Sequence, residues 1–170
     1  MENSKLHKIA VVGFGNILMG DEGVGVHVIK ELQNPSTFYR LPSTVELIDG
    51  GTASFDVILS LKNVDKLIII DAIKNGGISG EIYKFQNFQI SKFGNLEIEK
   101  LSLHDINIID ALKIAGKVGQ LPKEIIFIGI EPKEILPKLE LSEEVKNKIP
   151  EVIKMVMSEI NHDCLTAKAN

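Results

Sequence analysis

Apolar positions change their period several times along the chain, and each change marks a predicted element. Ile9–Val12 is a continuous apolar run, so a strand is expected over about Lys8–Val12. Gly13 and Gly15 then break the run, and Val24, Val28, Ile29 and Leu32 return with helical spacing, predicting a helix over Glu22–Gln33. Asn34–Pro42 reads as a turn-rich link. Thr44–Ile48 is a short strand that runs into Asp49-Gly50-Gly51-Thr52, and a helix is expected over Ala53–Asn63 with Phe55, Ile58 and Leu59 on one face. Lys66–Ile70 is apolar without alternation, as in a strand buried on both faces, and it ends at Asp71.

Lys74–Gly80 is rich in glycine and turn-like, and Glu81–Phe85 alternates like an edge strand. Residues 87–103 carry no clear period. Ile108, Ala111, Leu112 and Ala115 define one face of a helix over Asp105–Val118, and Ile125–Ile130 is a second fully buried strand. Pro132 and Pro137 mark a loop, and Ser142 is placed to cap a helix. The stripe Val145, Ile149, Val152, Ile153, Val156 and Ile160 is helical, with Pro150 breaking or restarting it. Asn161–Asn170 shows no pattern, so one domain over residues 1–160 and a disordered tail over 161–170 are expected.

Strands alternating with helices predict an α/β fold, a three-layer sandwich around a mostly parallel sheet. Such folds bind ligands outside the carboxyl ends of their strands.

The stretch His7–Ile29 therefore matters most, since its loop lies at that edge. A dinucleotide fingerprint fails there, because Leu18 stands where the third glycine belongs and Asp21 and Glu22 oppose a pyrophosphate. A Walker loop fails for want of Gly-Lys-Ser/Thr. The loop instead offers carboxylates, as a cation site does. There is no Gly-x-Ser-x-Gly elbow and no His-Glu-x-x-His, so serine hydrolase and zincin chemistry lack support.

Composition adds boundaries. At 170 residues the chain can bury a core of its own, and 44% hydrophobic with 25% charged residues is ordinary for a globular protein. A net charge of −4 argues mildly against nucleic acid or an anionic membrane as the main partner. No apolar run reaches the roughly 18 residues of a spanning helix. The N-terminus MENSKLHK lacks the apolar region of a signal peptide, and the single Cys164 excludes an internal disulfide. Together these features predict a cytoplasmic location.

Three residues are expected to converge at the carboxyl edge. Glu22 lies in the first βα loop, Asp71 at the end of a buried strand, and His104 just before the helix that feeds the last strand. That helix runs antiparallel to its strand, so its start falls at the same edge, and right-handed crossovers bring all three to one cleft. Glu, Asp and His form a mixed oxygen and nitrogen donor set, suited to nickel or zinc, with coordination positions left open. Each residue also has a plainer reading. Asp71 serves equally as a turn acceptor, His104 as a helix-start residue, and Glu22 as a partner of a helix dipole. His27 lies on another face, His7 and His162 are expected to be solvated, and Cys164 has no evident activating base.

With these residues in place, the sequence resembles the [NiFe] hydrogenase maturation endopeptidases. The resemblance rests on Gly13–Gly25, on Asp49-Gly50-Gly51-Thr52, on Leu67–Ala72, on His104-Asp105 and on Ile128–Pro132, and it covers most of the chain. It implies a phosphorylase/hydrolase-like fold of five strands in order 2-1-3-5-4 with strand four antiparallel. It also implies removal of a C-terminal peptide from the hydrogenase large-subunit precursor once nickel is inserted. Glu22, Asp71 and His104 match the family's metal-contacting residues and are expected to be catalytic, while Asp49, Gly50, Gly51 and Thr52 match the substrate loop. The nickel would arrive with the substrate, and the isolated protein, a monomer when free, would hold none or another divalent ion. Water activation falls either to the metal as Lewis acid or to a carboxylate as general base. The competing reading is a nickel-site chaperone or scaffold that binds the precursor without cutting it.

Overall fold

A computed structural model describes residues 7–36, 39–86 and 105–166, with the side chains of 105–107 and 163–166 left aside. The strands are β1 (Ile9–Phe14), β2 (Val45–Gly51), β3 (Lys66–Ala72), β4 (Ile82–Gln86) and β5 (Glu124–Ile130). The helices are α1 (Val24–Gln33), α2 (Ser54–Ser60), α3 (Asp105–Lys117), the short α4 (Glu143–Lys146) and α5 (Ile149–Thr166). The strands form one sheet in the order β2-β1-β3-β5-β4. β4 pairs antiparallel with β5, and every other pairing among the described residues is parallel. This is the three-layer, phosphorylase/hydrolase-like arrangement that the resemblance implied.

Position in the sheet explains each strand's pattern. β1, β3 and β5 are central and covered on both faces, so their residues are almost all buried and read as unbroken apolar runs. β2 and β4 lie at the edges and alternate, with Glu46 and Lys84 exposed along them, which discourages pairing with a further chain. Two apolar layers result. One packs Ile68, Ile70, Ile126 and Ile128 against α1 and α5, and the other packs Leu67, Ile69, Ile125 and Phe127 against α2 and α3. Each such side chain contributes about 1.5–3 kcal/mol when fully buried.

Several element ends differ from the sequence pattern, for local reasons. α1 starts at Val24 because Gly20–Gly23 forms a separate 3-10 turn, entered through Gly20 at φ 62°. β2 and β3 run on through Gly51 and Ala72, so Asp49 and Asp71 belong to the strands' last residues instead of following them. α2 stops at Ser60, ahead of Asn63 at φ 56°, a left-handed residue that ends the connection to β3. Pro150 sits in the first turn of α5, where its missing N–H leaves no bond unmade. α5 then continues through Asn161 to Thr166, beyond the start of the expected tail, because extending a formed helix costs far less than nucleating one. Among the described residues no helix is long and apolar enough to cross a membrane.

Candidate active site

The first loop is assembled by backbone contacts that only glycine permits. Gly15 takes φ 129°, and a Cβ there would overlap the Glu22 carbonyl. A Cβ on Gly25 would overlap the carbonyl oxygens of both Ile70 and Phe14. The 3-10 turn and the start of α1 are thus seated directly on the carboxyl ends of β1 and β3. This places the turn carrying Glu22 against β3, the strand carrying Asp71.

The two carboxylates sit differently. Glu22 is half-buried in its turn. Asp71 is 0% exposed, and its Oδ1 accepts the amide of Ala72 at 2.8 Å. Ile70 and Ala72 face the α1/α5 layer, so alternation turns Asp71 toward the layer of α2 and α3. α3 begins at Asp105 and returns the chain to the amino edge, where β5 starts, so its first residues stand at the carboxyl edge. His104, the third expected member of the set, lies outside the described residues. Among the described residues no group of three His, Cys, Asp or Glu side chains is gathered as a metal cage. Glu22 and Asp71 offer oxygen donors at one edge, which suits a hard or borderline divalent ion and leaves room for other ligands.

The Asp49–Thr52 loop joins the same edge. Gly15 N–H donates to the Gly51 carbonyl at 2.8 Å, and Gly51 N–H donates to Asp49 Oδ1 at 3.1 Å. Gly51 is left-handed at φ 48°, and Gly50 packs against the Phe14 ring, where a side chain would collide. Asp49 and Thr52 are exposed. One backbone path therefore connects this loop, Gly15 and the Glu22 carbonyl.

Sequence reasoning missed two polar residues here. Asp21, taken with Glu22 as a carboxylate the loop offers to a cation, is 0% exposed and points inward. Its Oδ2 accepts the amides of Lys133 at 2.9 Å and Glu134 at 3.2 Å and the Ser142 hydroxyl at 2.8 Å, while Oδ1 accepts the Ser142 amide at 2.7 Å. The loop thus presents one carboxylate to the edge and spends the other inside. Glu131 is also buried and accepts the Asn75 amide at 2.8 Å. Tyr83 Oη lies 3.0 Å from Glu81 Oε2 and 3.1 Å from Glu131 Oε2. Burial first, and then these two carboxylates, push the Tyr83 phenol up to about 12.

His27 is half-buried on the far side of α1, as expected of a packing residue. It lines a groove of about 670 Å³ between α1 and the 139–149 segment, away from Glu22 and Asp71.

The fold defines a phosphorylase/hydrolase-like α/β domain in which the turn carrying Glu22 lies against β3, the strand that carries Asp71. A family model described as hydrogenase maturation protease matches residues 26–159. The hydrogenase 2 maturation protease of Escherichia coli K12 is 30% identical over 161 residues, 94% of each chain. The hydrogenase expression/formation protein HupD of Thiocapsa roseopersicina is 30% identical over 151 residues, 88% of this chain and 66% of its own length. Among solved structures, the hydrogenase maturating endopeptidase HybD from E. coli superposes with a TM-score of 0.80 at 29% identity, covering 92% of this chain and 93% of that one. The chain belongs to the hydrogenase maturation protease family.

Proposed function

We propose that the protein is a cytoplasmic endopeptidase that removes the C-terminal extension of a [NiFe] hydrogenase large-subunit precursor after nickel insertion. The observation that carries this reading is Asp71. A carboxylate with no exposed surface directly after the apolar run Leu67–Ile70 is costly to bury, and a functional demand on that edge accounts for it. The turn bearing Glu22 packs on the same strand, in a chain of the maturation protease family.

In this reading Glu22, Asp71 and His104 contact the nickel that the precursor carries in its own site. The metal is part of the substrate, and these residues would complete its coordination transiently, with weak affinity for the free ion. A nickel-free precursor lacks those contacts, so selection is a difference of affinities. The Asp49–Thr52 loop lies against the chain to be cut, and its exposed Thr52 and its Gly51 turn suit contact with an extended backbone. The precursor's nickel, held by these residues, would supply Lewis-acid polarisation, or else Glu22 or Asp71 would take the proton from the attacking water as general base.

The test is a processing assay on the precursor, nickel-loaded and nickel-free, read by intact mass. Loss of C-terminal mass only in the loaded sample is the expected result. Binding of the loaded precursor without any loss of mass would identify a chaperone instead.

A further inference from the structure

We propose that Asp21 is the positioning residue of the site, fixing the direction in which Glu22 presents its carboxylate. The inference rests on the reading of Glu22 as a metal-contacting residue. A Gly-Asp-Glu-Gly turn is intrinsically soft. It has glycine on both sides of its carboxylates, and a single 3-10 turn has little stability of its own. Here it is clamped by distant chain. The four hydrogen bonds to Asp21 all come from residues 133–142. The clamp extends backward, since Gly20 N–H donates to the Lys138 carbonyl at 2.8 Å and Lys138 N–H to the Leu18 carbonyl at 3.0 Å. Forward, Val24 N–H closes the turn onto the Asp21 carbonyl, and the Glu22 carbonyl abuts Gly15. The backbone at Glu22 is therefore fixed on both sides, and the direction in which its side chain leaves the turn follows from the peptide that Asp21 anchors.

Nothing in the geometry brings Asp21 to a substrate, because its carboxylate is fully enclosed and all four contacts are with protein donors. Its effect on chemistry would pass through Glu22. An asparagine keeps the shape and opposes at least one donor with its own NH2, since Ser142 N–H and the Lys133 and Glu134 amides all need acceptors.

The experiment measures Ni2+ binding by calorimetry for the wild type, Asp21→Asn, Glu22→Gln and the double variant. Processing of the nickel-loaded precursor is measured in parallel, at a temperature where circular dichroism shows each protein folded. Asp21→Asn is expected to weaken Ni2+ binding about tenfold and to lower kcat/KM for the nickel-loaded precursor about tenfold. In the Glu22→Gln background it is expected to add nothing to the loss of Ni2+ affinity. Should Asp21→Asn not fold, Ser142→Ala removes one of the four bonds, and an effect of about threefold is expected with the same dependence on Glu22. An equal, additive effect in the Glu22→Gln background would overturn the proposal, as would unchanged Ni2+ affinity and kcat/KM in the folded variant. A wild type that neither binds Ni2+ nor processes the precursor would overturn the functional reading, and this inference with it.

Discussion

Lys66 and Glu159 meet at the amino edge of the sheet, opposite the candidate site. Lys66 Nζ lies 3.1 Å from Glu159 Oε2 and 3.2 Å from the Glu159 carbonyl, and the lysine side chain is 1% exposed. Glu124 stands 3.5 Å from the same ammonium, and Lys84 and Gln86 hold the other Glu159 oxygen. β3, β4, β5 and the middle of α5 are thus tied by one network around the buried Lys66 ammonium. Lys66→Ala removes the cation together with its aliphatic stem, and a loss of about 3 kcal/mol is expected by urea denaturation. Lys66→Met keeps the volume and leaves Glu159 its bonds to Lys84 and Gln86, so its loss should be only about 1 kcal/mol.

The same network predicts an acid limb. Burial raises the Glu159 pKa, but hydrogen bonds from Lys84 and Lys66 outweigh it, and the group ends below the ordinary value of 4.5. A carboxylate depressed in the folded state contributes stability above the unfolded pKa, and that contribution is lost as pH falls through the folded value. Stability should therefore decline below about pH 4.5, with a shallower slope in Glu159→Gln. Denaturation curves between pH 5 and 3 measure it.

His27 acts in a higher window. Its Nε2 is buried with no hydrogen bond among the described residues, and burial, then Lys30, lowers its pKa from 6.5. The unfolded chain takes up a proton near pH 6.5 while the folded one does not, so stability falls as pH drops from about 6.5 to the folded value, then levels. His27→Leu removes both the titration and the unpaired nitrogen. Its stability between pH 7.5 and 5.5 should change less than that of the wild type.

Glycine positions give a prediction of opposite signs. In an exposed helix, alanine for glycine normally stabilises. Among the described residues only Leu121 Cδ2, at 4.0 Å, lies near a Cβ added to Gly116 in α3, so Gly116→Ala should gain up to about 1 kcal/mol. Gly25 in α1 has carbonyl oxygens of Ile70 and Phe14 where its Cβ would go. Gly25→Ala must push α1 off the strand ends, and a loss of about 1–3 kcal/mol is expected by thermal melts. Processing should fall as well, because the turn bearing Glu22 moves with the helix.

What the sequence disclosed follows the range of each interaction. The buried strands and the helical stripes were legible because periodicity is local, and the sheet edge shared by Glu22 and Asp71 followed from alternating strands and helices. Asp21 was not legible. Its partners lie 112 to 121 residues away, and no spacing announces that one of two adjacent carboxylates turns inward. Lys66 was legible as the first residue of a strand, but its burial depends on Glu159, 93 residues on, which no strand pattern anticipates. The start of α1 was misplaced because the 3-10 turn is held by those same distant bonds. The resemblance supplied the strand order, which periodicity cannot.

The sharpest prediction concerns Asp71 itself. Asp71→Asn keeps the size and the acceptor for the Ala72 amide, so the strand end should be preserved. It removes the negative charge that would bind a metal or take a proton. Processing of the nickel-loaded precursor should fall by at least about a hundredfold, the usual contribution of a positioned acid or base, while the melting temperature stays level or rises. A level or raised melting temperature is expected because the isosteric amide keeps the Ala72 hydrogen bond and is less costly to bury than a charge. Glu22→Gln and His104→Ala should give the same loss of processing with folded protein. Intact mass of the precursor and a thermal melt, run on the same samples, separate a lost function from a lost fold. A folded Asp71→Asn that still processes would remove Asp71 from the site, and the carboxylate's burial would then have to be explained by its hydrogen bonds and packing alone.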